Sequence, residues 1–588
     1  MNKPGWRANN APIKRTTVSF LFILLLMGLI ALFGRVIYLQ VCKGAEYARI
    51  AQKQSERRIV IPARPGNIFA RTRSSLILMA GSTRTPGLFV DPLMIGEEHF
   101  KEVASKVVSI IGGSADALYR KLIRNRGRRY VYLGQLSEKQ VLAIKALKIR
   151  GVGITYRWRR RYPNGVLACH VIGFRRPDGD PGAGVEMWAN HWLAGKDGLM
   201  IVHADAARKG NYADILRYES PKDGKDVILT LDIFIQQFLQ NALKKTVEHF
   251  HASAGMGIVM DPVNGEILAM ASVPGYDPND YSHALASQRR NRVITDPFET
   301  GSTMKPFIAI GAIQMGKVTL QSKFFCHHGI YHAHRGGTIR DFPGEHFGWL
   351  PLSEIVIRSS NIGMAKLGEL LGNEELYRIV AAFGFGKRCG VELPGESAGL
   401  LLPLHRWTSY ATRRVPFGQG PIAATCLQLA CAFSAIANGG ILFRPRIIDK
   451  VIDVDGEVVF QSKPIRIRRV ISKAVARQFI DEVLVNVVKR GTGKKCKLER
   501  WTVFGKTGTG QIAGADGYIE HAYTASFMAG APANQPRVVC VVSIYKPDYS
   551  IGHTGGEVAA PCVREVLQKT LSYLDVPPDC PSVSANSR

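Results

Sequence analysis

The sequence predicts an α+β protein: an antiparallel sheet flanked by helices, preceded by an N-terminal membrane helix and an elongated mixed α/β module. Three observations point there. An apolar run, VSFLFILLLMGLIALF, extends from Val18 to Phe33 near the N-terminus. The texture of the chain changes near residue 221, where SPKDGKDVILTL leads into the periodic IFIQQFLQNAL. Beyond that point, two pairs of apolar runs with turn residues between them bracket a long helical section.

Counted through Leu39, the N-terminal run reaches the roughly 20 residues that cross a bilayer, and Arg35 can snorkel. Lys3, Arg7, Lys14 and Arg15 precede it. This charge bias predicts a cytoplasmic N-terminus with the bulk of the chain outside. A cleaved signal peptide is the rival reading, but no small-x-small site follows the run. LQVC, ending at Cys42, is a poor lipoprotein site because Val41 is bulky. An uncleaved anchor is therefore expected. The divisions are a cytoplasmic tail (1–16), the anchor (17–40), a non-catalytic module (41–220), a second domain (221–575) and a flexible tail (576–588).

In the first module, IVIPARPGNIF and GLFVDP read as strands. FKEVASKVVSIIGG reads as an amphipathic helix ending at glycine. In the second domain, GMGIVMDPVNGEILAMAS is a hairpin with turn chemistry at Asp261–Gly265. ASFMAGAP and RVVCVVSIY are two further strands.

A chain of 588 residues exceeds one core. Its formal charge of +30 predicts attraction to anionic partners. RNRGRRY (Arg124–Tyr130) and RWRRRY (Arg157–Tyr162) lack the aromatic interleaving of a nucleic-acid module and read as a solvated basic face. Ten cysteines without repeated spacing define neither a disulfide framework nor a zinc ribbon. CHHGIYHAH (Cys326–His334) crowds metal ligands but fits no standard zinc pattern, so it reads as a polar surface loop. No metal or cofactor is expected.

Three short motifs carry chemistry. FETGSTMKPF sets the hydroxyl of Ser302 three residues ahead of Lys305, with Pro306 behind. Proline is tolerated near a helix start, so a helix should begin close to Ser302 with both side chains on one face. IRSSNIGMAKL contains Ser359-Ser360-Asn361, and FGKTGTGQ contains Lys506-Thr507-Gly508 followed by Thr509. Each motif alone reads more simply as a cap or a turn. The three in this order are hard to obtain by chance.

That trio resembles serine β-lactamases and penicillin-binding proteins. The likeness to class B penicillin-binding proteins runs along most of the chain. It includes the membrane exit FGRVIYLQ, the module motifs RRYPNGVLACHVIGF and GAGVE with Glu186, MDPVNGEILAMASVPGYDPND, and PFGQGPIAATCLQLACAFSAIANGG. Two departures stand out: Thr300 replaces the family's proline before Gly301-Ser302, and RPGNIFAR carries Pro65 and Ala70 where the pedestal motif differs.

The resemblance implies a pedestal module and a serine β-lactamase-like transpeptidase domain. It further implies a D,D-transpeptidase acting through a serine acyl-enzyme, blocked by β-lactams. Ser302 would be the nucleophile and Lys305 its base, neutral through burial and the nearby charge of Lys506. Ser359 would bridge the two lysines, and Asn361 would hold the substrate backbone and the lysine. Lys506, Thr507 and Thr509 would meet a substrate carboxylate, and Gly508 would let substrate lie against an edge strand. The backbone N–H groups of Ser302 and Thr509 would form the oxyanion hole. Glu186 would be structural.

Implied partners are peptidoglycan stem peptides, β-lactams, a membrane glycan polymerase and divisome proteins, with no nucleic acid. The division-specific (septal) form is expected. The alternatives are the elongation-specific form and a non-catalytic membrane-anchored β-lactam sensor or scaffold. A secreted β-lactamase would be about half this length, and a bifunctional enzyme would need a glycosyltransferase domain that the first 220 residues do not resemble.

Overall fold

The computed structural model describes residues 15–204, 210–334, 337–514 and 517–580. Most of the expected cytoplasmic tail, with Lys3, Arg7 and Lys14, lies outside the described residues, as do residues 581–588 of the expected flexible tail. The chain divides into two compact units, Met1–Ala63 with Lys196–Lys222, and Arg64–Gly195 with Asp223–Arg588.

In the first unit, Arg15–Cys42 is a 28-residue helical stretch long and apolar enough to cross a membrane. It covers the run read from the sequence. Its last residues, Tyr38–Cys42, widen into a π turn, and a second helix, Gly44–Ser55, follows. Glu56–Ile61, Gly198–Ala204 and Gly210–Glu219 form an antiparallel sheet with Gly198–Ala204 in the centre.

The second unit holds two larger sheets. The one that positions the motifs has five antiparallel strands, in the order Ile267–Val273, Ala254–Met260, Val538–Tyr545, Gly517–Ala531 and Phe504–Gly514. Three of its strands, Ile267–Val273, Ala254–Met260 and Val538–Tyr545, read as nearly continuous apolar runs because both faces are covered. Met256, Ile258 and Met260 face one hydrophobic cluster, shared with the helices Lys305–Gln314, Asn361–Ala382 and Cys426–Ala437. Val259, Cys540, Val542 and Ile544 face the other, shared with Ile233–His249 and Ala559–Tyr573. The alternation is the two-residue period of a strand. The sheet flanked by helices expected from sequence is thus observed, with the Lys506 strand at its edge.

Helix Ile233–His249 starts where expected because Asp232 accepts hydrogen bonds from Phe234 N and Ile235 N, at 3.0 and 3.2 Å. Helix Phe100–Ile111 ends at Gly112 with φ 79°, as its sequence indicated. One expectation fails at the C-terminus. Residues 576–580 are tied down: Trp501 Nε1 donates to Val576 O at 3.1 Å and Thr502 N to Asp579 Oδ1 at 2.6 Å.

The second sheet has seven strands. Val458–Gln461, Ile448–Ile452, Asp226–Asp232, Ile68–Arg71, Leu76–Val90 and Val131–Gln135 lie in that order, and Val152–Arg161 also pairs with Leu76–Val90. Beside it Glu186 is fully buried, salt-bridged to Arg160 and, at 2.6 Å, to Arg175. Arg175 also reaches Asn190 Oδ1 at 2.7 Å and Gly179 O at 3.0 Å. Removing one member of such a cluster strands buried charge. Glu186→Ala is therefore expected to cost about 3–5 kcal/mol, read as a lower thermal midpoint of the full chain in detergent. An unchanged midpoint would refute the structural role of this cluster.

Candidate active site

Gly301–Met304 form a 3-10 turn, and the α-helix begins at Lys305 with Pro306 in its first turn. The expected helix start at Ser302 is therefore a tighter turn, in which residues i and i+3 eclipse. Ser302 and Lys305 share one side of it. The turn packs directly on the edge strand. Gly301 has φ +53°, and a Cβ there would fall 2.5 Å from Thr509 O. The backbone of Gly301, next to Ser302, therefore lies against that of Thr509.

Thr300, the departure from the family pattern, is buried with its hydroxyl unpartnered. Its φ of −69° already suits proline.

Lys305 and Lys506 are both fully buried and meet at a single oxygen. Lys305 Nζ lies 3.0 Å from Ser359 Oγ and 2.8 Å from Asn361 Oδ1, and it also donates to Ser359 O. Lys506 Nζ lies 2.9 Å from the same Ser359 Oγ, and 3.1 Å from Thr507 O. Ser359 bridges the lysines, as the motif implied.

Ser359 sits in a left-handed conformation, φ +65°, between the helices Leu352–Arg358 and Asn361–Ala382. Such a φ is uncommon outside glycine and strained. Here it aims the hydroxyl between the two amines. The neighbouring Ser360, not Ser359 or Asn361, caps the second helix by accepting from Gly363 N at 3.0 Å.

Burial pushes Lys305 down from the usual lysine range to about 7, opposed first by the carboxylate of Asp341. Burial also pushes Lys506 well down, and repulsion from Lys305 adds to it. Both amines are thus pushed toward the neutral form, and Lys305 alone has a carboxylate opposing that shift.

No hydrogen bond joins Ser302 to Lys305 among the described residues. The three donors of a charged Lys305 match its three acceptors, Ser359 O, Ser359 Oγ and Asn361 Oδ1. Loss of one proton leaves two donors and a free lone pair, which is the form able to accept from Ser302.

Sequence reasoning missed Asp341. This buried carboxylate accepts from Asn361 N at 2.6 Å, Ile362 N at 3.0 Å and Ser360 Oγ at 3.0 Å, at the start of helix Asn361–Ala382. Its neighbour Arg340 offers its carbonyl to Asn361 Nδ2 at 2.9 Å, which turns Oδ1 toward Lys305. These residues end a hairpin, Ile330–Ala333 with Gly337–Arg340, grown from the histidine-rich segment. That segment is no mere surface loop: Cys326 is buried, with Ser360 Oγ 3.5 Å from its sulfur.

Two further motif residues have protein contacts of their own. The missing side chain of Gly508 makes room for the nucleophile turn, since a Cβ would lie 2.6 Å from Thr303 Cγ2 and 2.9 Å from Thr300 O. Thr507 is buried, its hydroxyl 2.7 Å from Thr492 Oγ1 and 3.3 Å from Lys506 Nζ. Thr509 is half-buried and accepts from Gly555 N at 3.2 Å.

Comparison with known proteins agrees with this geometry. Residues 255–568 match the penicillin-binding protein transpeptidase domain, and residues 60–177 the penicillin-binding protein dimerisation domain. The chain is 32% identical to the probable peptidoglycan D,D-transpeptidase PenA of Neisseria gonorrhoeae, over 97% of this chain and 94% of that one. It is 30% identical to the peptidoglycan D,D-transpeptidase FtsI of Escherichia coli, over 96% and 93%.

Among solved structures, a peptidoglycan synthetase from Bifidobacterium adolescentis superposes with a TM-score of 0.71 at 26% identity, covering 90% of this chain and 98% of that one. Penicillin-binding protein 3 of Mycobacterium tuberculosis, complexed with aztreonam, gives 0.67 at 26% identity, covering 89% and 99%. Fold and site thus define a serine acyl-transfer domain of the transpeptidase type. The chain belongs to the class B penicillin-binding proteins, which pair that domain with a dimerisation module.

Two outcomes follow for acylation by a labelled penicillin. Its rate is expected to rise with pH through about 7, as Lys305 loses its proton. The Asp341 carboxylate favours the charged form of Lys305, so Asp341→Asn is expected to move that acidic limb to lower pH. A limb that stays put while the rate falls uniformly would reduce Asp341 to a helix cap. Separately, Thr300→Pro is expected to leave stability unchanged or raise it by about 0.4–1 kcal/mol, read by thermal unfolding.

Proposed function

We propose that this chain is a membrane-anchored peptidoglycan D,D-transpeptidase that cross-links stem peptides at the division septum. The observation that carries the chemistry is the pair of dehydrated lysines on either side of Ser359 Oγ, beside Ser302. The transpeptidase domain is assigned to residues 221–575 and the pedestal to 41–220. The N-terminus is assigned to the cytoplasm and the catalytic domain to the outside.

In the resting site burial pushes both lysines down, and the Asp341 carboxylate favours the charged form of Lys305. A donor stem ending in D-Ala-D-Ala brings a carboxylate toward Lys506 and Thr509. That anion raises the proton affinity of Lys506, and Ser359 can relay a proton from Lys305 by accepting one and donating its own. Lys305, now neutral, takes the proton of Ser302 as its oxygen attacks the penultimate carbonyl. The N–H groups of Ser302 and Thr509 receive the oxyanion.

The peptide bond breaks, the leaving nitrogen takes a proton through Ser359, and D-alanine departs. The amine of an acceptor stem then attacks the acyl-enzyme, Ser302 regains its proton, and the cross-link is complete. Asn361 holds the donor backbone through its amide. A β-lactam follows the first half and stays on Ser302.

The septal assignment rests on the likeness to FtsI and on the membrane-exit sequence, and it implies a membrane glycan polymerase and divisome proteins as partners. Incubation with labelled penicillin followed by peptide mapping should place the adduct on Ser302 and show none in Ser302→Ala. An adduct elsewhere would overturn the mechanism. A fluorescent fusion is expected at mid-cell; uniform lateral-wall signal would instead favour the elongation-specific form.

A further inference from the structure

The two basic stretches that sequence reading set aside meet on one sheet face. Tyr130 ends the first stretch and Arg157 opens the second, and Arg157 Nη2 donates to Tyr130 Oη at 3.1 Å. The strands Val131–Gln135 and Val152–Arg161 flank the strand Leu76–Val90.

This face is paved. The ring of Phe89 lies over Gly153, where a Cβ would come within 2.6 Å of it, and the ring of Tyr132 lies equally close over Gly87. Tyr130 stacks on Phe89 with centroids 5.1 Å apart. The Arg157 guanidinium sits over Tyr132 at 4.4 Å and over Tyr130 at 5.5 Å. Arg159, exposed two residues along the same face, bonds to the Gln135 amide oxygen.

Among the described residues, neither Arg157, Arg159 nor Arg161 forms an ion pair. Among the described residues, the side-chain contacts of Arg157 and Arg159 are to neutral groups. Guanidiniums held in place by rings and an amide, with no carboxylate of their own, are pre-ordered for a carboxylate from outside. The aromatic faces are already covered by guanidinium or by one another, so bases have no free platform on which to stack.

We propose that this face, centred on Arg157 and Arg159, binds the stem-peptide carboxylates of an uncross-linked peptidoglycan strand. It would be a second site separate from Ser302. The inference rests on the substrate class proposed above. It makes the pedestal a holder for the polymer whose stems the catalytic domain joins. Charge complementarity favours this occupant, because each muramyl stem carries free carboxylates at regular intervals along the strand.

The test uses the full chain in neutral detergent, first acylated with unlabelled penicillin so that the catalytic site is blocked. Its binding to soluble uncross-linked peptidoglycan strands is measured. Comparators are the same strands stripped of stem peptides, vesicles containing phosphatidylglycerol, and a single-stranded oligonucleotide. The intact strands should bind best. Arg157→Ala with Arg159→Ala should weaken that binding about tenfold or more, as should the single exposed change Arg159→Glu.

Labelled-penicillin acylation of the unblocked variants should match the parent, which reports folding and tests the catalytic reading independently. Equal strand binding by the variants would overturn the proposal. So would equal binding of stripped strands, or a variant-sensitive preference for vesicles or the oligonucleotide. Failure of penicillin to attach would instead defeat the catalytic reading.

Discussion

Two amines are stripped of water around one hydroxyl, and the rest of the catalytic half is arranged to make that tolerable. Lys305 and Lys506 have no exposed surface. A charged ammonium in such a place is costly unless paired, and the usual relief is loss of the proton. Here the relief is partial. Among the described residues, every hydrogen-bond partner of the two amines is a neutral oxygen, and Asp341 acts on Lys305 without a direct bond to it. The pair therefore sits where its charge can be changed by an arriving anion.

Holding that state requires rigid supports from three separated segments. The nucleophile turn is pressed against the edge strand through Gly301 and Gly508, two places where a side chain would collide with the opposing backbone or a threonine methyl. Ser359 carries a strained φ, and the helices on either side are buried along their inner faces. Phe307, two residues beyond Lys305, packs on Phe383 and Phe385 at centroid distances of 5.1 and 5.3 Å. Packing over-determines a backbone that would otherwise relax, which is how strain persists at functional sites.

Sequence patterns disclosed what depends on local order. The membrane stretch follows from one unbroken apolar run, the Ala254–Val273 hairpin from its turn residues, and the convergence of Ser302, Ser359 and Lys506 from motif order. Contacts set by the third dimension were hidden. Asp341 stands 20 residues ahead of Asn361 with no local signature, and only the hairpin before it carries its carboxylate to the helix start. The packing of Gly508 against Thr300 and Thr303 is not legible because an edge strand has two sides, and the sequence does not say which one faces the Ser302 turn. Tyr130 and Arg157 are 27 residues apart and meet only because both flank one central strand.

The asymmetry of the lysine pair explains why a transpeptidase would keep two amines where one base would suffice. A permanently neutral Lys305 would leave Ser302 activated with no substrate present, exposed to water or any stray carbonyl. The carboxylate of Asp341 favours the charged form of Lys305 against the burial that pushes it down to about 7, and in that form its lone pair is occupied. Burial and repulsion from Lys305 push Lys506 well down, and a substrate carboxylate beside it would oppose both. Both amines contact Ser359 Oγ, so the proton has a path of one hydroxyl between them. On the mechanism proposed above, substrate binding and base activation would be a single electrostatic event, driven by the terminal carboxylate that defines the donor stem.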